Sequence, residues 1–315
     1  MKLIEWFHFD DRESHDRFMR IHRLYWLIVA VLTAACASSL GRAPIDSPAP
    51  SPQATRPVAP ATRTPASMAT MTPILATAVA TTTLAPVPAC HEEHGQLQVS
   101  YLESPTLARR VVYSIYLPPC YDTDKARVYP VVYLLHGASA GHTQWPDLNV
   151  APDADTLIAQ GSIAPLVVVM PDGDYQLSED YAAFVLRDLM PHIEQTTRVA
   201  RDRQGRAIGG ISLGGSLALT IALEHPDLFS AVGGHSPAVD STLARRLTPT
   251  PMWSSLRVYL DVGRNDSLAP DVKAFASALE AHDLKPAFHL YPGEHNRTYW
   301  RAHTAEYLAF YAAGW

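Results

Sequence analysis

From about Leu97 to the end, the chain alternates short apolar runs with helical patterns. The segments LQVSYLES and ARRVVYSIYLPP alternate apolar and polar residues, which predicts an antiparallel pair of strands. Six later runs are almost continuously apolar, which favours strands buried on both faces of a parallel sheet. These runs are VYPVVYLLHG, APLVVVMPDG, GRAIGGIS, FSAVGGHS, LRVYLDVG and PAFHLYPG.

Helical patterns lie between these runs. Apolar residues recur every four positions at Tyr181, Val185, Leu189 and Ile193, and GGSLALTIALEHP stays apolar over three turns. The ranges Val272 to Leu284 and Thr298 to Ala313 follow the same pattern. This alternation predicts a three-layer α/β domain over residues 91–315, with helices on both faces of a mostly parallel sheet.

The stretch before this domain has a different composition. Ten of the 26 prolines lie between Ala43 and Ala89, a stretch with no aromatic residue and one acid, Asp46. Such a segment buries too little apolar surface to offset the entropy of ordering. We therefore expect residues 37–90 to form a disordered stalk.

An export segment is predicted at residues 1–36. Leu24 to Ala35 is an uncharged apolar run of about a dozen residues, too short for a span of roughly 20 residues and arranged like a secretory signal peptide. The small residues before Cys36 resemble a bacterial lipobox, which predicts lipidation of Cys36; ordinary cleavage nearby and an uncleaved anchor are the alternatives. Because residues 1–18 are charged with both signs, we expect translation to start at Met19.

Charge and cysteine content narrow the function classes. The formal net charge is −6 and no run of lysine or arginine occurs, so the sequence predicts no nucleic-acid partner. Beyond Cys36, the remaining cysteines are Cys90 and Cys120, an even pair that predicts a disulfide in an oxidising compartment. Two free thiols are the alternative. Neither cysteine lies in a glycine-rich turn, which disfavours a catalytic thiol.

The segment GGISLGGSLAL holds the strongest candidate for chemistry. Its pattern Gly210-Ile211-Ser212-Leu213-Gly214 is typical of a nucleophile elbow, in which a sharp turn from strand to helix exposes a serine; an ordinary turn of small residues is the alternative. Ligands collect at the carboxyl ends of parallel strands. Five candidate groups follow such predicted strand ends: His136, Asp172, Ser212, Asp266 and His295.

A serine hydroxyl needs a general base, and His295 after the last strand is the expected base. Other histidines are out of chain order (His136, His142, His235) or inside a strand (His289). Asp266 is expected to orient the imidazole, with Asp261 as a competitor that falls within a strand. The backbone amides of Ala138 and Leu213 are the expected donors to a substrate oxyanion.

The runs YPVVYLLHGASAGHTQW, LVVVMPDG, DLMPHIEQTTRV, GRAIGGISLGGSLAL, VYLDVGRNDSL and YPGEHNRTYWR together resemble an esterase family of α/β-hydrolases. It includes feruloyl and acetyl-xylan esterases, enterochelin esterase, S-formylglutathione hydrolase and antigen 85 mycolyltransferases. The resemblance covers about residues 97–315. It implies an α/β-hydrolase fold, with nucleophile, acid and base at Ser212, Asp266 and His295, and oxyanion amides at Ala138 and Leu213.

The substrate pocket is less well specified. Many family members have glycine where this chain has Cys120, a departure consistent with a disulfide in exported relatives. The candidate lining residues, for each of which a core or rim role is the alternative, are Gln144, Trp145, Asp172, Tyr175 and Trp300.

These features predict a serine esterase of a small-molecule or polysaccharide-linked ester, tethered outside the cytoplasm by a lipid anchor or, alternatively, secreted. No metal or cofactor is expected. An acyltransferase using the same three residues and a non-catalytic binding lipoprotein are the competing functions.

Overall fold

The computed structural model describes residues 90–173, 178–246 and 248–315. The proposed start at Met19, the lipidation candidate Cys36, the predicted stalk and Tyr175 lie outside these residues. All eight predicted strands are present. They are β1 (Gln96–Ser104), β2 (Arg109–Leu117), β3 (Val131–Leu135), β4 (Val167–Pro171), β5 (Arg206–Ile211), β6 (Ala231–His235), β7 (Arg257–Gly263) and β8 (Ala287–Tyr291).

The strands form one sheet in the order β1-β2-β4-β3-β5-β6-β7-β8. The pairs β1–β2 and β2–β4 are antiparallel, and every later pair is parallel. This confirms the mostly parallel sheet with an antiparallel N-terminal pair. Strands β5 to β8 are neighbours in chain order, so the loops that follow them emerge side by side at one edge of the sheet.

Helices connect the strands and cover both faces of the sheet. They are α1 (Gln144–Asp147), α2 (Val150–Ala159), α3 (Ser178–Phe184), α4 (Met190–Thr196), α5 (Leu213–Glu224), α6 (Ser241–Arg246), α7 (Ala269–Glu280) and α8 (Arg297–Ala312). A π-helical turn, Val185–Leu189, joins α3 to α4, and a 3₁₀ helix spans Pro251–Ser255. The four apolar residues predicted to share a face of this stretch, Tyr181, Val185, Leu189 and Ile193, are all buried.

Two hydrophobic cores lie on opposite faces of the sheet. In β3, Val131, Tyr133 and Leu135 face one core, whereas Val132 and Leu134 face the other. The first core includes residues of α5, α7 and the helical stretch 178–196; the second includes residues of α2 and α8. This arrangement confirms the three-layer α/β architecture. Among the described residues, no helix combines the length and apolarity needed to cross a membrane.

Strand β8 corrects one prediction. Its sequence suggested burial on both faces, yet Ala287 and Leu290 are exposed and its other residues are only partly buried. The reason is its position, because β8 is the last strand of the sheet and pairs with β7 alone. An apolar run does not reveal which strand will form an edge.

The first described residue, Cys90, is part of a disulfide. Cys90 and Cys120 form a disulfide, as predicted, which joins the residues before β1 to the turn after β2. In the antiparallel register, Gln96 of β1 pairs with Leu117 of β2. Leu117 follows Tyr116, which pairs with Val168 near the start of β4. The disulfide therefore lies toward the edge of the sheet opposite the carboxyl ends of the parallel strands.

Candidate active site

Ser212 lies in the turn between β5 and α5, with φ 55° and ψ −119°. Positive φ is uncommon for a residue with a side chain and marks strain that the surrounding structure must hold. Here the Ser212 amide donates to the His235 carbonyl at 3.0 Å, and the Ser212 carbonyl accepts from the Ala238 amide at 2.9 Å. Both bonds come from the β6 side, so the end of β6 fixes the serine backbone.

Two glycines permit this turn. A Cβ atom at Gly210 would lie 2.4 Å from the carbonyl carbon and oxygen of Gly214, and one at Gly214 would lie 2.2 Å from the His136 carbonyl oxygen. Side chains at these positions would meet backbone atoms, which cannot rotate away. The glycines thus bring the first turn of α5 against the end of β3.

The structure brings Ser212, His295 and Asp266 into one hydrogen-bonded row. The distance from Ser212 Oγ to His295 Nε2 is 3.1 Å, and His295 Nδ1 lies 2.8 Å from Asp266 Oδ2. The imidazole side chain is 25% exposed, whereas the Asp266 side chain is fully buried. These distances lie within reach for proton transfer from serine to histidine and for orientation of the histidine by the carboxylate.

Asp266 follows β7 and precedes α7. Its Oδ1 accepts the Leu268 amide at 2.9 Å, while its other oxygen contacts His295. Burial raises the pKa of Asp266, but hydrogen bonds from His295 and the Leu268 amide, with the electrostatic attraction of His295, bring that pKa below its ordinary value. The carboxylate is therefore held in its charged form.

The two predicted oxyanion amides lie on adjacent segments. Leu213 is the first residue of α5, where a helix offers no internal acceptor for an N–H group. Ala138 follows Gly137, where an added Cβ atom would lie 3.5 Å from Ser212 Cβ. Gly137 in turn donates its amide to Gln144 Oε1 at 2.7 Å. Gln144 thus steadies the loop that carries Ala138.

Two of the predicted pocket residues lie in the core instead. Trp145 is 1% exposed and donates its indole N–H to the Leu135 carbonyl at 3.1 Å. Trp300 is also buried, and its ring meets the His295 ring edge-on, with centroids 5.0 Å apart. Both rings support the site from within rather than line a pocket. The sequence alone does not show whether an aromatic side chain near a catalytic loop points into the core or into a pocket.

Asp172 follows β4, as predicted, and its side chain is 40% exposed. Its Oδ1 accepts the Gly173 amide at 2.8 Å and lies 3.8 Å from His136 Nε2. Burial lowers the pKa of His136, which favours a neutral ring. Across residues 90–173, 178–246 and 248–315, no cluster of three histidine, cysteine or acidic side chains has a metal-binding arrangement.

Asp261, the competing acid, belongs to a different histidine. Its Oδ1 lies 2.8 Å from His235 Nδ1, and both side chains are fully buried. Its Oδ2 accepts hydrogen bonds from the hydroxyls of Tyr299 and Tyr307, at 2.7 and 2.8 Å. Asp261 and His235 are thus occupied within the core. His142 contacts the Ser114 hydroxyl at 2.9 Å.

Ser236 is a residue of this site that the sequence interpretation missed. It follows β6, is fully buried and accepts a hydrogen bond from Trp300 Nε1 at 3.2 Å. No signal in the sequence points to it, because its position depends on β6 lying between the strands that precede Ser212 and Asp266 in the sheet.

Comparison with known proteins gives a consistent family relationship. A family model described as "Putative esterase" matches residues 104–311. The endo-1,4-beta-xylanase/feruloyl esterase of Xylanibacter ruminicola is 31% identical over 154 residues, 44% of this chain and 21% of that protein. Esterase Rv1288 of Mycobacterium tuberculosis is 30% identical over 163 residues, 48% of this chain and 34% of that protein. The matches thus span about a fifth to a third of these relatives' length.

Solved structures agree on the fold. A ferulic acid esterase superimposes with a TM-score of 0.66 at 24% identity, over 70% of this chain and 98% of that one. An S-formylglutathione hydrolase of Staphylococcus aureus gives a TM-score of 0.58 at 18% identity, over 70% and 99% of the two chains. Likeness at this level of identity establishes the shared α/β-hydrolase fold.

Proposed function

Because this chain belongs to the esterase family of α/β-hydrolases, we propose that it hydrolyses carboxylic esters through an acyl-enzyme on Ser212. The observation that carries the proposal is the hydrogen-bonded row from Ser212 Oγ through His295 to Asp266, at 3.1 and 2.8 Å. It lies at the carboxyl ends of the parallel strands, where ligands collect in open α/β sheets.

In the first half-reaction, Ser212 Oγ attacks the ester carbonyl carbon while His295 Nε2 accepts the hydroxyl proton. The carbonyl oxygen becomes an oxyanion that accepts hydrogen bonds from the Leu213 and Ala138 amides. His295 then returns the proton to the leaving oxygen, the bond to the alcohol breaks, and the acyl group remains on Ser212.

In the second half-reaction, water attacks the acyl carbon while His295 accepts a proton from it. Collapse of the second oxyanion breaks the bond to Ser212 Oγ, which regains the proton and releases the carboxylic acid. Asp266 stays ionised throughout. It fixes the imidazole tautomer and stabilises the positive charge that His295 carries after each proton transfer.

Substrate class follows from the relatives only as a proposal. A matched relative carries the name feruloyl esterase, and a structure with a TM-score of 0.59 is a ferulic acid esterase in complex with ferulic acid. We infer that esters of aromatic acids, small or linked to polysaccharide, are the first class to test. The half-exposed Asp172 is the candidate polar contact on the rim.

The decisive experiment uses the full chain with p-nitrophenyl acetate and methyl ferulate. We expect hydrolysis of at least one ester and covalent labelling of Ser212 by a fluorophosphonate. Ser212→Ala should abolish both, while Ser216→Ala, in the first turn of the adjoining helix α5, should keep both and serves as the matched control. Unchanged hydrolysis by Ser212→Ala would exclude it as the nucleophile, and silence toward both esters without labelling would favour a binding protein.

Localisation is proposed separately from catalysis. We propose that residues 1–36 direct export and that Cys36 carries a lipid, so that the domain is tethered outside the cytoplasm. Metabolic labelling with a palmitate analogue should mark the wild-type chain and leave Cys36→Ser unmarked. Equal labelling of both chains would contradict lipidation at Cys36. Peptides from residues 1–18 in the unprocessed chain would contradict a start at Met19.

A further inference from the structure

We propose that Gln144 is a specificity-determining residue of the site: its side-chain amide donates to a neutral oxygen that the acyl half of the ester carries close to the ester carbonyl. The inference rests on the proposed function and names a substrate class for that same site. Gln144 is the first residue of α1 and is partly exposed, so its side chain is open to solvent.

Gly137 fixes the orientation of the Gln144 side-chain amide. The Gly137 backbone N–H donates to Gln144 Oε1 at 2.7 Å. A flipped side chain would set two donors, this N–H and the Gln144 NH₂ group, against each other. Oε1 is therefore the atom held by the loop, and the two N–H groups on Nε2 point elsewhere. Across residues 90–173, 178–246 and 248–315, the bond to Gly137 is the only hydrogen bond of the Gln144 side chain.

Gln144 Nε2 and the proposed nucleophile border the same small space. An added Cβ atom at Gly137 would lie 3.5 Å from Ser212 Cβ and 3.7 Å from Gln144 Nε2. Because residue 137 is a glycine, it puts no side chain into this space. A few atoms beyond the ester carbonyl carbon are enough to extend from Ser212 to Nε2. A bound ester can thus supply the acceptor that Nε2 does not find among the described residues.

The acyl half of the ester lies on the Gln144 side of Ser212. His295 Nε2, 3.1 Å from Ser212 Oγ, must protonate the leaving oxygen, which places the alcohol half toward His295. His295 follows β8 and Gly137 follows β3, and β5, which precedes Ser212, lies between these two strands in the sheet. The acyl half therefore extends from Ser212 toward the loop that joins Gly137 to Gln144.

The charge beside this loop favours a neutral acceptor. An added Cβ atom at Gly141 would lie 3.0 Å from Asp172 Oδ1, so a carboxylate borders the loop between Gly137 and Gln144. An acyl chain that carries its own carboxylate would meet a like charge here, whereas an ether or hydroxyl oxygen would not. The substrate class is therefore esters of alkoxy and hydroxy acids.

Two esters of equal shape test this role in the full chain: methyl 3-methoxypropanoate and methyl pentanoate. The first has an ether oxygen where the second has a CH₂ group, and an ether oxygen can only accept a hydrogen bond. We expect the wild-type kcat/KM to be about 10-fold higher for the ether ester, the effect of one hydrogen bond, after correction for the rates of the two esters with hydroxide.

Two variants separate the donor of Gln144 from its acceptor. Gln144→Glu keeps an oxygen for the Gly137 amide but places a second oxygen where Nε2 was, so the preference for the ether ester should be lost or reversed. Gln144→Met removes both groups and should abolish the preference while lowering kcat for both esters, because the loop is no longer held. If Gln144→Met does not fold, Gln144→Glu alone decides.

Gln160→Glu is the matched control. Gln160 is exposed and lies directly after α2, so this variant introduces the same charge away from the loop and should keep the wild-type preference. Because the preference is a ratio between two esters in one chain, a purely structural effect on the oxyanion amides cancels from it.

Equal wild-type kcat/KM for the two esters, or a preference that Gln144→Glu retains, would overturn the inference and leave the proposed function standing. A preference dependent on Gln144 for 2-methoxyethyl butanoate over butyl butanoate would overturn it too, because the selected oxygen would then lie in the alcohol half. If the wild-type chain hydrolyses no ester and a fluorophosphonate does not label Ser212, the proposed function fails and the inference fails with it.

Discussion

Gly214 packs directly against the carbonyl group of His136, so that a Cβ atom at residue 214 would lie 2.2 Å from that oxygen. This contact joins the start of α5 to the end of β3. Of the two amides proposed to hold an oxyanion, that of Leu213 lies one residue before Gly214 and that of Ala138 lies two residues after His136. Their spacing therefore depends on the absence of a single side chain.

Gly214→Ala should separate these two segments. The added methyl group would meet the carbonyl oxygens of both His136 and Leu135, which belong to the backbone. We expect kcat for ester hydrolysis to fall about 100-fold, the effect of losing one oxyanion donor. Wild-type kcat in a folded Gly214→Ala chain would contradict the assignment of these amides, and Ser216→Ala controls for substitution in the same helix.

Substitution of the two aspartates should separate catalysis from stability. Asp266→Asn should lower kcat on the order of 10⁴-fold, because the amide favours the wrong tautomer of His295. Asp261→Asn should instead destabilise the fold by about 3 kcal/mol, because it breaks a fully buried pair with His235. Ester hydrolysis and urea unfolding of both variants measure the two effects. A large loss of kcat in Asp261→Asn with little loss in Asp266→Asn would show that Asp261 is the catalytic acid.

Acid should remove the contribution of Asp266 to stability. The pKa of Asp266 is lower in the folded chain than its ordinary value of 3.8, because its hydrogen-bond partners outweigh the effect of burial. The ionised Asp266 carboxylate therefore stabilises the folded chain at pH values above the ordinary pKa of an aspartate. This stabilisation is lost as the pH falls through the pKa that Asp266 has in the folded chain.

Urea unfolding at about pH 6 and about pH 3 measures this effect. The free energy of unfolding should fall more steeply with acid in the wild-type chain than in Asp266→Asn, because the variant has no carboxyl group to titrate at this position. Parallel curves for the two chains would contradict the linkage.

Removal of the disulfide should lower stability and leave catalysis intact. Cys90 and Cys120 are 30 residues apart, and a crosslink closing a loop of this size contributes about 3.5 kcal/mol. The double variant Cys90→Ser, Cys120→Ser should unfold at lower urea concentration, with unchanged kcat at room temperature because the bridge lies toward the opposite edge of the sheet. Dithiothreitol should destabilise the wild-type chain and have no effect on the variant.

Sequence patterns predicted the strands well because buried runs such as Val131–Leu135 and Val167–Pro171 leave few alternatives. Helix α2 was missed: its segment VAPDADTLIA carries Pro152 and two aspartates, which suggest a loop. Proline in the first turn is compatible with a helix, because the N–H it lacks has no partner there.

At the site, chain order was enough to predict that Ser212, Asp266 and His295 lie together, because each follows the end of a parallel strand and these ends meet at one edge of the sheet. It was not enough for Trp300 or Ser236. A tryptophan close to a catalytic loop has the same sequence signature whether it faces substrate or core. The place of Ser236 beside this site depends on which strands are neighbours in space, and only the sheet order supplies that information.

The disulfide also determines how the domain would bear mechanical load. A pull on the chain before Cys90 passes through the sulfur bridge into Cys120, at the turn after β2, and bypasses β1. Without the bridge, the same pull would fall on the few non-covalent contacts of residues 92–95 and then on Gln96, the first residue of a strand that is hydrogen-bonded along one side only. After reduction of the disulfide, a pull on the chain would therefore separate β1 from β2 first. Tension and redox state would then act on the same part of the molecule.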